Sequence, residues 1–110
     1  MYLPEIFKTF LEEHTQIANA LQHVGELASV AGPIDQKTQH LIQLGISIGA
    51  ESKGAVRSHA RRALDAGATP AEITQTVLMS VTIVGFPAMI AAYGWVKEVI
   101  EPQELGRAPG

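Results

Sequence analysis

The 110-residue chain contains no cysteine. That absence removes disulfides, thiolate nucleophiles and cysteine-ligated metals from the chemistry open to it. Charge is scarce too. Charged residues are 17% of the chain and the net charge is −3. Such a balance offers no basic surface to track a phosphate backbone, so no nucleic-acid partner is expected. Long hydrophobic runs are also missing. The most apolar stretch, 73–96, is interrupted by Thr74, Gln75, Thr76, Thr82 and the Gly85-Phe86-Pro87 break. It reads as two buried helices rather than a membrane span. The N-terminal MYLPEIFKTFLEEH places acids and a proline early and lacks the charged-then-apolar layout of a signal peptide. A cytoplasmic protein with no membrane association is the expectation.

Apolar positions recur at helical spacing throughout, and nothing reads as a strand. The pattern predicts an all-α fold of about six helices. The first covers 4–14, with Pro4 in its first turn, and the second covers 15–30, with Ile17, Leu21, Val24 and Leu27 in register. These two are readable as one continuous helix. Ala31-Gly32-Pro33 stops the second, and Asp35 is placed to cap a third helix over 36–50. That third helix leaves only a narrow polar stripe, Gln36, His40, Gln43 and Ser47. The fourth, 52–66, ends at Gly67. Thr69-Pro70-Ala71-Glu72 supplies a cap, a proline at the first helical position and a capping-box glutamate for a fifth helix running to 84. After the Gly85-Phe86-Pro87 turn a sixth runs over 87–100 and stops at Glu101-Pro102. One domain is expected over 1–102, with a flexible tail over 103–110.

Helices three, five and six are apolar on most sides, too much so for a lone bundle of this length. Large apolar side chains left in water form patches that drive association. An obligate homo-oligomer follows.

On a projection at about 100° per residue, His59 shares a face with Ser52, Ala55, Ala63 and Ala66. Small neighbours admit a partner helix or leave room for a ligand, although a lone helical histidine is more often a packed, hydrogen-bonded one. Arg62 borders the face and is able to hold an anion, but a solvated surface arginine is the commoner arrangement. With the third and fourth helices antiparallel, His40 falls near the far end of the fourth and need not reach His59. His14, His23, Glu51 and Glu72 share no tight ligand spacing with the pair. Neither a metal nor a cofactor is expected.

The motifs Asp35-x-Lys37-Thr38-x-x-Leu41-Ile42, His59-Ala60-x-x-Ala63, Ala66-Gly67-Ala68-Thr69-Pro70-x-Glu72-Ile73 and Gly85-Phe86-Pro87-Ala88 together resemble the carboxymuconolactone decarboxylase family, which includes the alkylhydroperoxidase D-like proteins. The resemblance covers about residues 3 to 100. It implies a helical bundle of the alkylhydroperoxidase D-like type, assembled as a homotrimer or homohexamer, with a small-molecule carboxylate or lactone as ligand. In the peroxidase-type members the fourth helix begins CxxCxxxH. Ser52 and Ala55 occupy those cysteine positions here, and His40 stands where the relay glutamate would be, so the resemblance implies a closer approach of His40 to His59 than the pattern alone. A cysteine-dependent peroxidase is therefore excluded. The decarboxylase branch does without the cysteine pair, but its further histidine before the GFPA turn is Met79 here. What the resemblance implies is a small-molecule lyase with acid–base chemistry at His59 and His40, and Ser52 and Arg62 on the substrate. The alternative is a non-catalytic oligomeric binding or assembly protein that keeps the fold.

Overall fold

The computed structural model describes residues 5–101. The tail expected over 103–110 lies outside the described residues. Every regular element among the described residues is a helix: α1 (Glu5–Glu13), α2 (Thr15–Ser29), α3 (Gln36–Gly49), α4 (Lys53–Asp65), α5 (Pro70–Met79), α6 (Val81–Val84) and α7 (Phe86–Ile100). The all-α expectation holds. The chain divides into two compact units, Met1–Ile34 and Asp35–Gly110.

In the first unit α1 and α2 are separate helices. The break is His14, whose φ of −131° and ψ of 56° leave helical geometry. The chain still runs on closely, because His14 N–H donates to the Phe10 carbonyl at 2.9 Å and its own carbonyl accepts from Ala18 N–H at 2.9 Å. Ala18 is the only buried residue described in this unit.

In the second unit α3 and α4 form a tightly packed hairpin, α4 also lies on α7, and α5 lies on α7 and α3. Leu44, Ile48, Val56, Ile73, Val77 and Val96 are its largest fully buried side chains. Each stabilises the fold by about 1.5–3 kcal/mol through removal from water. From α4 the buried residues are Val56, Ala60 and Ala63, small enough to let two helices approach at once. His59 lies beside that stripe rather than at its centre.

The capping box at α5 forms as the sequence implies. Thr69 Oγ1 accepts from Glu72 N–H at 3.1 Å, and Glu72 Oε1 accepts from Thr69 N–H at 2.9 Å. Glu72 also pairs with Lys37 at 3.0 Å, which ties the start of α5 to the start of α3. Arg57 on α4 pairs with Glu98 on α7 in the same way. The helix expected over 70–84 divides at Ser80. There the backbone N–H donates to Val77 O at 3.0 Å, a tighter i−3 bond, and the Ser80 hydroxyl donates to the same carbonyl at 2.6 Å. A serine hydroxyl competing for a helix carbonyl is a local cause of such a break. Gly85 then takes φ +87°, a conformation strained for any side chain, and Pro87 falls in the first turn of α7.

The polar stripe of α3 is divided: Gln36 and Gln43 are exposed, His40 is partly buried and Ser47 is buried. Ser47 is buried with Leu44 and Ile48, and its hydroxyl donates to Gln43 O at 2.7 Å. Ile42 and Ile46 are instead 44% and 66% exposed.

Candidate functional site

The inward stripe of α3 carries His40, and α4 answers it with His59. The hairpin brings the rings to 6.1 Å between centroids, with 30° between their planes. Short connection and antiparallel course place His40 level with the second half of α4, and its ring reaches His59 in the same chain. The helical pattern left this approach open, and the rings meet within one chain, as the family resemblance favours. Arg62, one helical turn beyond His59, joins them. It lies close enough for its charge to act on both rings.

Arg62 is not the solvated surface arginine that its place in the sequence suggests. The residue is partly buried, and its Nε is cut off from solvent. His40 Nδ1, His59 Nδ1 and Arg62 Nε are all buried, and none has a hydrogen-bond partner among the described residues. Buried polar atoms are nearly always paired, so three unpaired nitrogens on neighbouring side chains mark this place as chemically unusual. Burial, then the Arg62 charge, then His40 hold the His59 imidazole below its ordinary value. His40 is lowered in the same way, by burial first and Arg62 second; a hydrogen bond with the Gln43 side chain and the charge of Asp65 pull it back up. Both rings therefore favour the neutral form near neutral pH.

Ser52 stands apart from this trio. It is exposed and caps α4, its Oγ accepting from Ala55 N–H at 3.4 Å. It lies seven residues before His59, about 10 Å along the helix axis. Gln43 and Asp65 were not recognised as site residues from the sequence. The signal for Gln43 was available: it sits three positions after His40 on the same polar stripe, within reach of that ring. Asp65 reads from spacing alone as a partner for Arg61 at i+4, and only packing brings its field to His40.

The model of the carboxymuconolactone decarboxylase family matches residues 15–98. The chain belongs to the carboxymuconolactone decarboxylase family. Among solved structures, the chain is similar to the apo form of a carboxymuconolactone decarboxylase family protein from Legionella pneumophila, with a TM-score of 0.75 and 23% identity over 86% of this chain and 84% of that one. At that identity the likeness speaks for the fold. No curated protein matches the chain.

As a family member the chain carries no thiol, so the site's reactive groups are imidazole and guanidinium. Two histidines supply two nitrogen donors to a metal, with the cation of Arg62 beside them. Among the described residues no group of three or more His, Asp or Glu side chains is placed to hold a metal ion. No described helix is long and apolar enough to cross a membrane. His14 and His23 lie on the surface of the first unit, His14 against Phe10 at 5.5 Å between ring centroids and His23 at 3.6 Å from Glu26.

Proposed function

We propose that this family member is a small-molecule lyase of the decarboxylase-like branch, with His59 as general acid, His40 as its polar partner and Arg62 on the substrate carboxylate. The observation that carries the reading is the trio of buried, unpaired nitrogens on His40, His59 and Arg62. In the reaction a β,γ-unsaturated lactone acid loses its carboxylate as CO2. The electron pair of the broken C–C bond moves into the conjugated system, and the γ carbon takes a proton from the His59 imidazolium. The leaving CO2 carries no charge, so the net change is uptake of one proton. A lowered imidazole value makes the protonated ring a stronger acid but a rarer one at neutral pH. The rate per enzyme should therefore rise as pH falls toward the folded value of His59. Ser52 shares the projected face of His59, but its position at the α4 cap supports a structural role.

The test is a panel of unsaturated lactone acids, assayed for CO2 release with His59→Ala as control. Turnover that falls by about 10²–10⁴-fold in the variant supports the reading. Turnover unchanged in His59→Ala removes His59 from the chemistry.

A second reading has its own observation. Ile42, Ile46, Leu78, Met79, Ile83 and Phe86 are all 44–82% exposed in the second unit. Such a surface supports self-association, which the family resemblance reads as a homotrimer or homohexamer, whether catalytic or only an assembly module. Wild-type-like assembly with no turnover on any lactone acid favours the module.

A further inference from the structure

The proposed lyase needs a carboxylate in place and a proton on His59. The same three side chains are arranged to deliver both. His40 and His59 approach from two helices, their rings 6.1 Å apart. Each has a buried Nδ1 without a partner, and the buried Arg62 Nε is likewise unpaired. A metal does not suit this place, because the guanidinium charge opposes a cation and no third ligand group stands by among the described residues. A neutral apolar molecule does not suit it either, since it leaves three buried polar nitrogens unsatisfied. An oxyanion meets both conditions. Its oxygens accept from the Arg62 fork and from imidazole N–H groups, and its charge cancels the guanidinium field that acts on both rings.

Resting on the lyase reading for its substrate, we propose that His40, His59 and Arg62 form a proton-coupled oxyanion site, in which a small carboxylate enters together with a proton on the histidine pair. The two rings are coupled, because His59 feels His40 and both feel Arg62. Without the anion, burial and Arg62 keep the pair neutral. With the anion bound, the field that discouraged the proton is offset, and the charged imidazole becomes a hydrogen-bond donor to it. The carboxylate thus arms the acid that its own decarboxylation requires.

The charged neighbours from each packed element leave this logic in place. On α4, Arg62 acts on both rings and Asp65 favours a proton on His40. On α3, Lys37 is engaged by Glu72 of α5. On α7, Glu98 is engaged by Arg57.

The test is an NMR titration of the imidazole carbon-bound protons from pH 8 to 5, in chloride buffer and with added acetate or sulfate. The chain has four histidines, so the exposed His14 and His23 report any general salt effect. The expected result in chloride is that His40 and His59 titrate below 6.5. Added acetate should raise their midpoints by at least half a pH unit, leaving His14 and His23 in place. Arg62→Met should abolish the acetate-induced rise. Acetate acting where sulfate does not assigns the site to carboxylates; equal action by both assigns it to oxyanions in general. Midpoints that move no more than those of His14 and His23, or that move equally in Arg62→Met, overturn the proposal. If Arg62→Met fails to fold, Arg62→Lys replaces it, with a smaller rise expected because one ammonium cannot present a fork. The readout needs no turnover, so a positive titration with an inactive lactone panel rejects the lyase and keeps the site. Turnover that depends on His59 without an anion-induced shift rejects the coupling and keeps the lyase.

Discussion

In the first unit, α2 carries Ile17, Leu21, Val24 and Leu27 at 55–62% exposure, and Ala18 alone is buried among the described residues. In the second, α3, α4, α5 and α7 each bury at least two side chains in a shared core. Both regions have helical periodicity of comparable clarity in the sequence. The difference shows that an amphipathic stripe is an offer of burial, and another element must accept it. The second unit accepts its offers internally at Leu44, Ile48, Ile73 and Val96. It leaves others open at Ile42, Ile46 and Phe86.

The strongest way to break the comparison is truncation in each unit. Leu44→Ala or Ile73→Ala should cost about 2–5 kcal/mol, the transfer loss plus the cavity. Leu21→Ala, on an exposed stripe, should cost about 0.5 kcal/mol or less in the isolated chain. Denaturant unfolding measures both, and it should be run at two protein concentrations. A Leu21→Ala cost that grows with concentration means that a second copy covers α2.

The exposed apolar side chains sharpen the contrast in a second way. Ile46→Asp leaves the internal core untouched, because Ile46 is 66% exposed. Light scattering should show the wild type as a trimer or hexamer and the variant as a smaller species with unchanged helical signal. A wild-type monomer at micromolar concentration removes the assembly reading for both units.

Caps come next in size. Thr69→Ala removes the acceptor for Glu72 N–H and should destabilise the second unit by about 1 kcal/mol. The Glu72 carboxylate, held below its ordinary range by Thr69 N–H and then by Lys37, should keep part of the turn in place. Ser52→Ala, at a longer 3.4 Å cap on an exposed residue, should cost less than Thr69→Ala.

The smallest effect is a pH dependence confined to the second unit. His40 and His59 have folded values below 6.5. Between the folded and unfolded values the unfolded chain binds more protons. Their contribution is therefore complete above about pH 6.5 and is lost as pH falls through the folded values. Thermal melts from pH 8 to 5 should show this loss, reduced in His59→Ala. A melt unaffected by the variant across that window contradicts the buried, neutral assignment.

Much of the fold was legible in local chemistry. The Thr69–Glu72 box, the Gly85 turn and the stop after α2 each depend on residues within a few positions of one another, and all appear where the spacing puts them. Ser80 was missed because a hydroxyl able to bend a helix is common and only sometimes does so. The site was half legible. His59 stood out against its small neighbours, but pattern alone could not show that His40 and Ser47 turn inward while Gln36 and Gln43 of the same stripe stay exposed.

By itself the sequence determined the helical class, the capping box of α5 and the absence of thiol chemistry, because those depend on nearest neighbours and on composition; at Asp35, expected to cap α3, the side chain instead accepts from the Thr38 hydroxyl at 2.6 Å. Tertiary structure decided which stripe of α3 turns inward, and so brought His40 to 6.1 Å from His59. It also made Arg62 a partly buried cation, its Nε closed off from solvent, whose charge lowers the proton affinity of both rings. Burial and electric field belong to the space between helices, and that space exists only once α3 and α4 have packed.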